Sequence, residues 1–162
     1  MTRQEDPEDF TPEELDTWST LATLLEWLPA VLDAQLQRDS EISHFEFGVL
    51  FALSQAEGGT LRLSELASYA NGTLSRLSRA VARLEAKDWV RRAPDPHDGR
   101  SNVASLTEQG QDAVRRAAPG HVALVRRLVF DSLSRSQAQQ LGASARRVNG
   151  AIRSEQGWRP RA

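Results

Sequence analysis

A mainly α-helical chain with one small two- or three-stranded β wing is the fold these 162 residues predict, and three observations predict it. Between residues 73 and 106, a basic amphipathic helix is followed at once by two short alternating segments around a run of turn formers. Ahead of that helix, a shorter one ends in Asn71-Gly72, a tight turn into Thr73. Before these lies a long helical pattern with more apolar surface than one chain's core requires, and further helices follow the wing. The layout is a winged helix-turn-helix with N- and C-terminal dimerisation helices.

Residues 1–10 are acidic and read as a flexible arm. Thr11-Pro12-Glu13-Glu14 then supplies an N-cap, a proline at the first helical position and a glutamate for a capping box. The helix it opens, residues 11–38, carries Leu15, Trp18, Leu21, Leu25, Leu28 and Leu32 on one face, and Pro29 is expected to bend or split it. Leu24, Trp27 and Val31 make it apolar on a second side, which calls for a partner, most simply another copy of the chain. Ser43-His44-Phe45-Glu46 is a second capping box, opening a helix with Phe47, Leu50, Phe51 and Leu53 inward and ended by Glu57-Gly58-Gly59. A short helix follows over residues 63–70.

In the helix that Thr73 caps, Leu77, Val81 and Leu84 recur at i, i+4 and i+7, one helical face. The other side carries Ser75, Arg76, Ser78, Arg79, Ala82 and Arg83. Its N-terminal turn offers backbone N–H groups to an anion, with arginines close behind. Residues 89–92 and 102–106 are short enough for strands, and the seven residues between them, 94–100, read as a polar loop. Such a helix can enter a major groove while the loop reaches the neighbouring backbone or minor groove. Arg76 and Arg79 are then groove contacts, Thr73, Ser75 and Ser78 shorter ones, Arg62 and Arg100 phosphate contacts, and Arg83 a phosphate or structural contact. Within the wing, Asp95 or Asp98 is expected to hold Arg100. The competing reading is a solvated helix face, and the turn and hairpin around it tip the balance toward a groove reader.

Thr107 caps a helix expected to kink at Pro119-Gly120 and continue from His121. Ser134-Arg135-Ser136-Gln137 caps a last one reaching about Ile152. The lobe thus spans residues 43–106, the C-terminal dimerisation helices 107–152, and a flexible tail 153–162.

Net charge is −2, but it is unevenly spread. Residues 1–16 carry −6, residues 62–100 carry +3 and residues 126–162 carry +6. The local patch, not the sum, governs phosphate contact. With no cysteine there is no disulfide framework and no thiolate zinc site. Asp95-Pro96-His97-Asp98 matches no metal-ligand spacing, so neither metal nor cofactor is expected. No Ser–His–acid order, paired carboxylates or glycine-rich phosphate loop points to an enzyme. No apolar run or leader suggests a membrane, and cytoplasm is the expected compartment. Trp18, Trp27, Phe45, Phe47 and Phe51 are candidates to line a ligand cavity, with Trp27, His44 and Phe47 nearest it, although core or dimer packing accounts better for each taken alone.

Leu63-Ser64-Glu65-Leu66-Ala67, Arg83-Leu84-Glu85, Trp89-Val90, Asp98-Gly99-Arg100-Ser101 and Leu106-Thr107-Glu108-Gln109-Gly110 together resemble the multiple-antibiotic-resistance regulator (MarR) family. The last two blocks form the wing signature and are the most specific. Ala117-Ala118-Pro119-Gly120-His121, Val125-Arg126-Arg127 and Phe130-Asp131 look like an actinobacterial-type branch. The resemblance covers roughly residues 12–152. It implies a homodimer with interleaved first and last helices, two winged helices on a pseudo-palindromic operator, and usually repression relieved by a small, often aromatic, effector. Two positions depart from the family pattern. His97 stands where an arginine often enters the minor groove, and Asp88 stands where a glycine usually ends the recognition helix. The alternative reading is a winged-helix protein-interaction module without sequence-specific DNA binding.

Overall fold

The computed structural model describes residues 9–69, 73–96 and 98–155, and at residues 99 and 100 the backbone only. His97, the Asn71-Gly72 turn, and most of the acidic arm and the C-terminal tail fall outside the described residues. The chain divides into two compact units, the first ending at His121 and the second beginning at Val122.

In the first unit, α1 runs Pro12–Ser40, α2 His44–Gln55, α3 Leu63–Tyr69 and α4 Leu74–Ala86. Strands β1 (Thr60–Arg62), β2 (Val90–Asp95) and β3 (Asp98–Leu106) form one antiparallel sheet in the order β1-β3-β2. Helix α5, Glu108–Val125, follows. The second unit holds the last residues of α5, a π-helical turn at Arg126–Phe130 and α6, Arg135–Glu155.

The caps form where the side chains allow them. Thr11 and Ser43 each close a reciprocal capping box with the glutamate three residues on, and Thr73 accepts the Arg76 N–H at 3.2 Å. Ser134 and Gln137 also bond reciprocally ahead of α6. The core gathers the inward faces of α2, α3 and α4: Phe47, Leu50, Leu53, Leu66, Leu77, Val81 and Leu84, closed by Val90, Ala104, Val114 and Ala117. Each fully buried leucine or valine is worth about 1.5–3 kcal/mol in transfer free energy.

Several expectations need correction. Pro29 does not split α1, and Pro119 does not break α5, so each proline sits inside a continuous helix. At Pro119 the neighbouring Val114, Ala117 and Ala118 pack on the core and outweigh one missing backbone bond. The irregular turn lies instead at Arg126–Phe130. Phe51, expected inward, is 46% exposed, whereas Phe47, Leu50 and Leu53 are buried as expected. Helix α2 is apolar nearly all round, so periodicity alone does not choose its buried side. The strands are longer than their apolar cores: β2 runs to Asp95 and β3 starts at Asp98, which leaves residues 96–97 between them. Pro94 fits this ladder because β2 is an edge strand and the register shifts after it. A third strand, Thr60–Arg62, pairs with residues 103–105 of β3.

Among the described residues, two that bear side chains adopt left-handed backbone: Glu41 (φ 54°), the C-cap of α1, and Asp88 (φ 58°), just past α4. Asp88 therefore takes the conformation a glycine would supply more freely. Its carbonyl is used, accepting the Thr107 hydroxyl at 2.6 Å.

Candidate nucleic-acid interface

Helix α4 buries Leu77, Ala80, Val81 and Leu84 completely and turns Ser75, Arg76, Ser78, Arg79, Ala82 and Arg83 outward. Spacing forces this, since i, i+4 and i+7 share one side of a helix. Thr73 spends its hydroxyl on the cap. The remaining N–H groups of the first turn stand at the positive end of the helix dipole.

Ion pairing within the lobe sorts its arginines. Arg83 donates through Nε to Glu46 Oε1 at 2.5 Å. Arg92 pairs with Glu85, also at 2.5 Å. Arg62 donates through Nε to Asp95 Oδ2 at 2.6 Å, where Asp95 is buried. Arg62, expected as a phosphate contact, therefore braces the wing, and Arg83, expected as a phosphate or structural contact, braces the junction of α4 with α2. Arg79 is exposed and has no ion-pair partner among the described residues. The Arg76 guanidinium lies 4.2 Å from the centroid of the Phe45 ring. Asp98 accepts from the Ser101 hydroxyl at 2.9 Å; the Arg100 side chain and His97 fall outside the described residues. Arg91, which the sequence did not single out, is exposed on β2 and has no ion pair among the described residues.

The first turn of α2 carries the groups that sequence reasoning missed. Glu46 is buried, and burial alone would raise its pKa. The bonds from Ser43 and the Arg83 guanidinium outweigh that and hold it below the usual carboxylate value. One carboxylate thus caps α2 and fastens α4. The capping box announced the first duty, but nothing local announced the second, because Arg83 lies 37 residues away.

Of the expected ligand-pocket residues, the structure brings two together. His44 and His121 have ring centroids 5.5 Å apart, and Phe47 lies 4.7 Å from His121. The His44 N–H donates to Asp33 at 2.7 Å. His121 Nδ1 and Gln35 Oε1 are buried without a hydrogen-bond partner among the described residues. Trp27 is 71% exposed on α1 and is not brought into this cluster. Two shallow surface grooves, about 350 and 400 Å³, run beside Arg91, Thr107 and Glu108 at the foot of the hairpin, and neither is lined by a histidine.

Burial, opposed by Asp33, lowers the His44 pKa below 6.5, and burial reinforced by His44 lowers that of His121. The folded values lie below the unfolded one, so the unfolded chain takes up protons first as pH falls. Stability from the pair is complete above the unfolded value of 6.5 and declines as pH drops from there toward the folded values. The melting temperature is therefore expected to be lower at pH 5.5 than at 7.5, with a smaller gap in a His44→Gln, His121→Gln variant. Equal wild-type melting temperatures at the two pH values would contradict this.

A capped basic helix, preceded by a short helix and followed by a hairpin whose third strand closes the sheet, defines a winged helix-turn-helix protein. Residues 42–101 match the MarR family. The fold is similar to that of Sco3205, a MarR family transcriptional regulator from Streptomyces coelicolor in complex with DNA. That likeness has 44% identity, 90% of this chain and 91% of that one covered, and a TM-score of 0.87. It is also similar to AbsC, a MarR family regulator from the same organism, at 31% identity, 91% and 99% coverage and a TM-score of 0.86. The chain belongs to the MarR family. Among curated proteins it is 32% identical over 85 residues to the transcriptional repressor IacR of Pseudomonas putida, 52% of this chain and 50% of that protein. The chain spans about half the length of the curated relatives it matches. No helix among the described residues is long and apolar enough to cross a membrane.

Proposed function

We propose that this chain is a homodimeric transcriptional regulator that binds a pseudo-palindromic operator in duplex DNA, acts as a repressor, and is released by a small effector, an aromatic one fitting the cluster best. The observation that carries the reading is the outer face of α4: Ser75, Ser78 and Arg79 exposed, Arg76 ordered beside them, and the wing next in the chain. Ser75, Arg76, Ser78 and Arg79 read base edges and phosphates near the helix N-terminus. Thr73 fixes that terminus, and Arg62, Arg83, His97 and Arg100 add contacts at the flanks. Asp95 and Asp98 stabilise the wing. The DNA-bound relative and the repressor among the relatives support the same reading.

The dimer is built from residues 11–38 and 107–152. Leu25 and Trp27 on α1 are exposed in the single chain, as are Leu141, Val148 and Ile152 on α6, the last three recurring at i, i+7 and i+11. The effector site takes in His44 and Phe47 with His121, and Trp27 approaches only as part of an assembled dimer. Occupation releases DNA by favouring a dimer whose recognition helices no longer match successive major grooves. The compartment is the cytoplasm.

Fluorescence anisotropy with the duplex upstream of the chain's own gene, against a scrambled duplex at two salt concentrations, tests the reading. Preference for the first, with affinity falling log-linearly by about 0.9 per phosphate neutralised, is expected. Binding indifferent to sequence would favour a winged-helix module that docks a protein.

A further inference from the structure

Three consecutive residues at the start of α2 face three different ways. The His44 N–H is held by Asp33 of α1. Glu46 holds Arg83. Between them, Phe45 packs against the core and places its ring 4.2 Å from the Arg76 guanidinium carbon. Arg76 is itself fixed at the backbone, because its N–H is the one Thr73 caps. Both ends of the Arg76 side chain are thus constrained, whereas Arg79, one turn on, has no partner among the described residues.

We infer that Phe45 is a positioning residue for DNA recognition, holding Arg76 in the orientation in which its guanidinium reads a base. The inference rests on the DNA-binding reading above. A free arginine gives up rotamer entropy when it is fixed in a complex. A guanidinium lying over a ring has met part of that cost beforehand. Stacking uses the face of the guanidinium and leaves the N–H donors in its plane available for a bidentate contact, such as guanine O6 and N7. The ring cannot drift, since the core supports it and the two flanking residues are tied to α1 and α4. Arg76 is then the specificity contact and Arg79 the adaptable one.

The test is a double-mutant cycle read by anisotropy with the upstream and scrambled duplexes, using full-length wild type, Phe45→Leu, Phe45→Tyr, Arg76→Ala and Phe45→Leu/Arg76→Ala. Phe45→Leu is expected to weaken specific binding about two- to fivefold while leaving scrambled-duplex binding unchanged. Arg76→Ala is expected to cost about tenfold, the double variant no more than that, and Phe45→Tyr, which keeps the ring, close to nothing. An equal loss on Phe45→Leu with and without Arg76 would overturn the inference, because the ring would then act on the fold and not on Arg76. Tighter specific binding in Phe45→Leu would overturn it too, since the ring would be withholding the arginine. Absence of sequence preference in the wild type itself is the separate failure of the DNA reading, and takes the inference with it.

Discussion

Replacing Leu25 and Leu28 together with glutamate is expected to turn a dimer into monomers and to weaken binding to a two-half-site duplex by about a hundredfold or more. Leu25 is 58% exposed in the single chain, and Leu28 is half-buried one turn away on the same helix face. Around them Leu15, Trp18, Leu21, Leu24, Trp27 and Val31 also reach solvent, while only Leu32, Gln35 and Leu36 of α1 are buried. Twenty-odd residues of helix with so much exposed apolar surface gain little from standing alone and much from a partner. Two carboxylates in that seam would have to be desolvated without counter-charges, which costs several kcal/mol each. The core of the winged lobe contains neither leucine, so its folding should survive. Sedimentation velocity reads the outcome directly, and dimers persisting in the double variant would sink the assignment of this face.

A single methyl group at position 110 should cost nearly as much in stability as those charges cost in assembly. A Cβ on Gly110 would lie 2.1 Å from the Trp89 carbonyl oxygen and 2.8 Å from Leu106 Cδ1. Neither neighbour can retreat cheaply. The Trp89 carbonyl already accepts the Thr107 N–H at 3.0 Å, and Leu106 pairs with Val90 at the end of the ladder. The Gly110 N–H is itself held by the Thr107 hydroxyl at 3.0 Å, so the first turn of α5 is seated on the base of the hairpin from several directions. Gly110→Ala is expected to destabilise by about 3 kcal/mol, net of the better helix propensity of alanine. That is a drop of roughly 6–12 °C in melting temperature for a chain of this size. A change below about 0.5 kcal/mol in urea titration would show that the turn relaxes freely.

The same position shows what the sequence made legible and what it did not. The Leu106-Thr107-Glu108-Gln109-Gly110 block marked the end of the wing, and the reason for its glycine, a carbonyl 21 positions earlier in the chain, appears only in three dimensions. Local chemistry was readable wherever a side chain acts within four residues. Thr11, Ser43, Thr73 and Ser134 all cap the helices assigned to them. So was the buried face of α4, where small and charged residues occupy the outward positions apart from the exposed Leu74. Strand length was not, because Pro94 and Asp98 are turn formers by local preference and strand residues by pairing with β3 and β2. The three residues of β1 carry too short a pattern to register. Long-range pairs were invisible for the plainest reason: Arg62 and Asp95 are 33 residues apart, and the two clustered histidines are 77 apart. Thus the outline of α4 could be drawn from the sequence, while the contacts of Arg83 with Glu46 and of Arg76 with Phe45 could not.

The central claim is that the exposed face of α4 contacts DNA, and Arg79 is the residue that tests it most directly. It has no internal partner among the described residues, so its removal should not disturb the fold. We would titrate the upstream duplex with wild type and Arg79→Ala at several salt concentrations, checking that melting temperatures agree. Affinity is expected to fall about five- to tenfold or more, with the salt slope shallower by about 0.9 if the contact is to phosphate, or with sequence preference relaxed if it is to a base. Unchanged affinity, slope and preference in a folded variant would contradict it and place the DNA contact, or the function, elsewhere on the molecule.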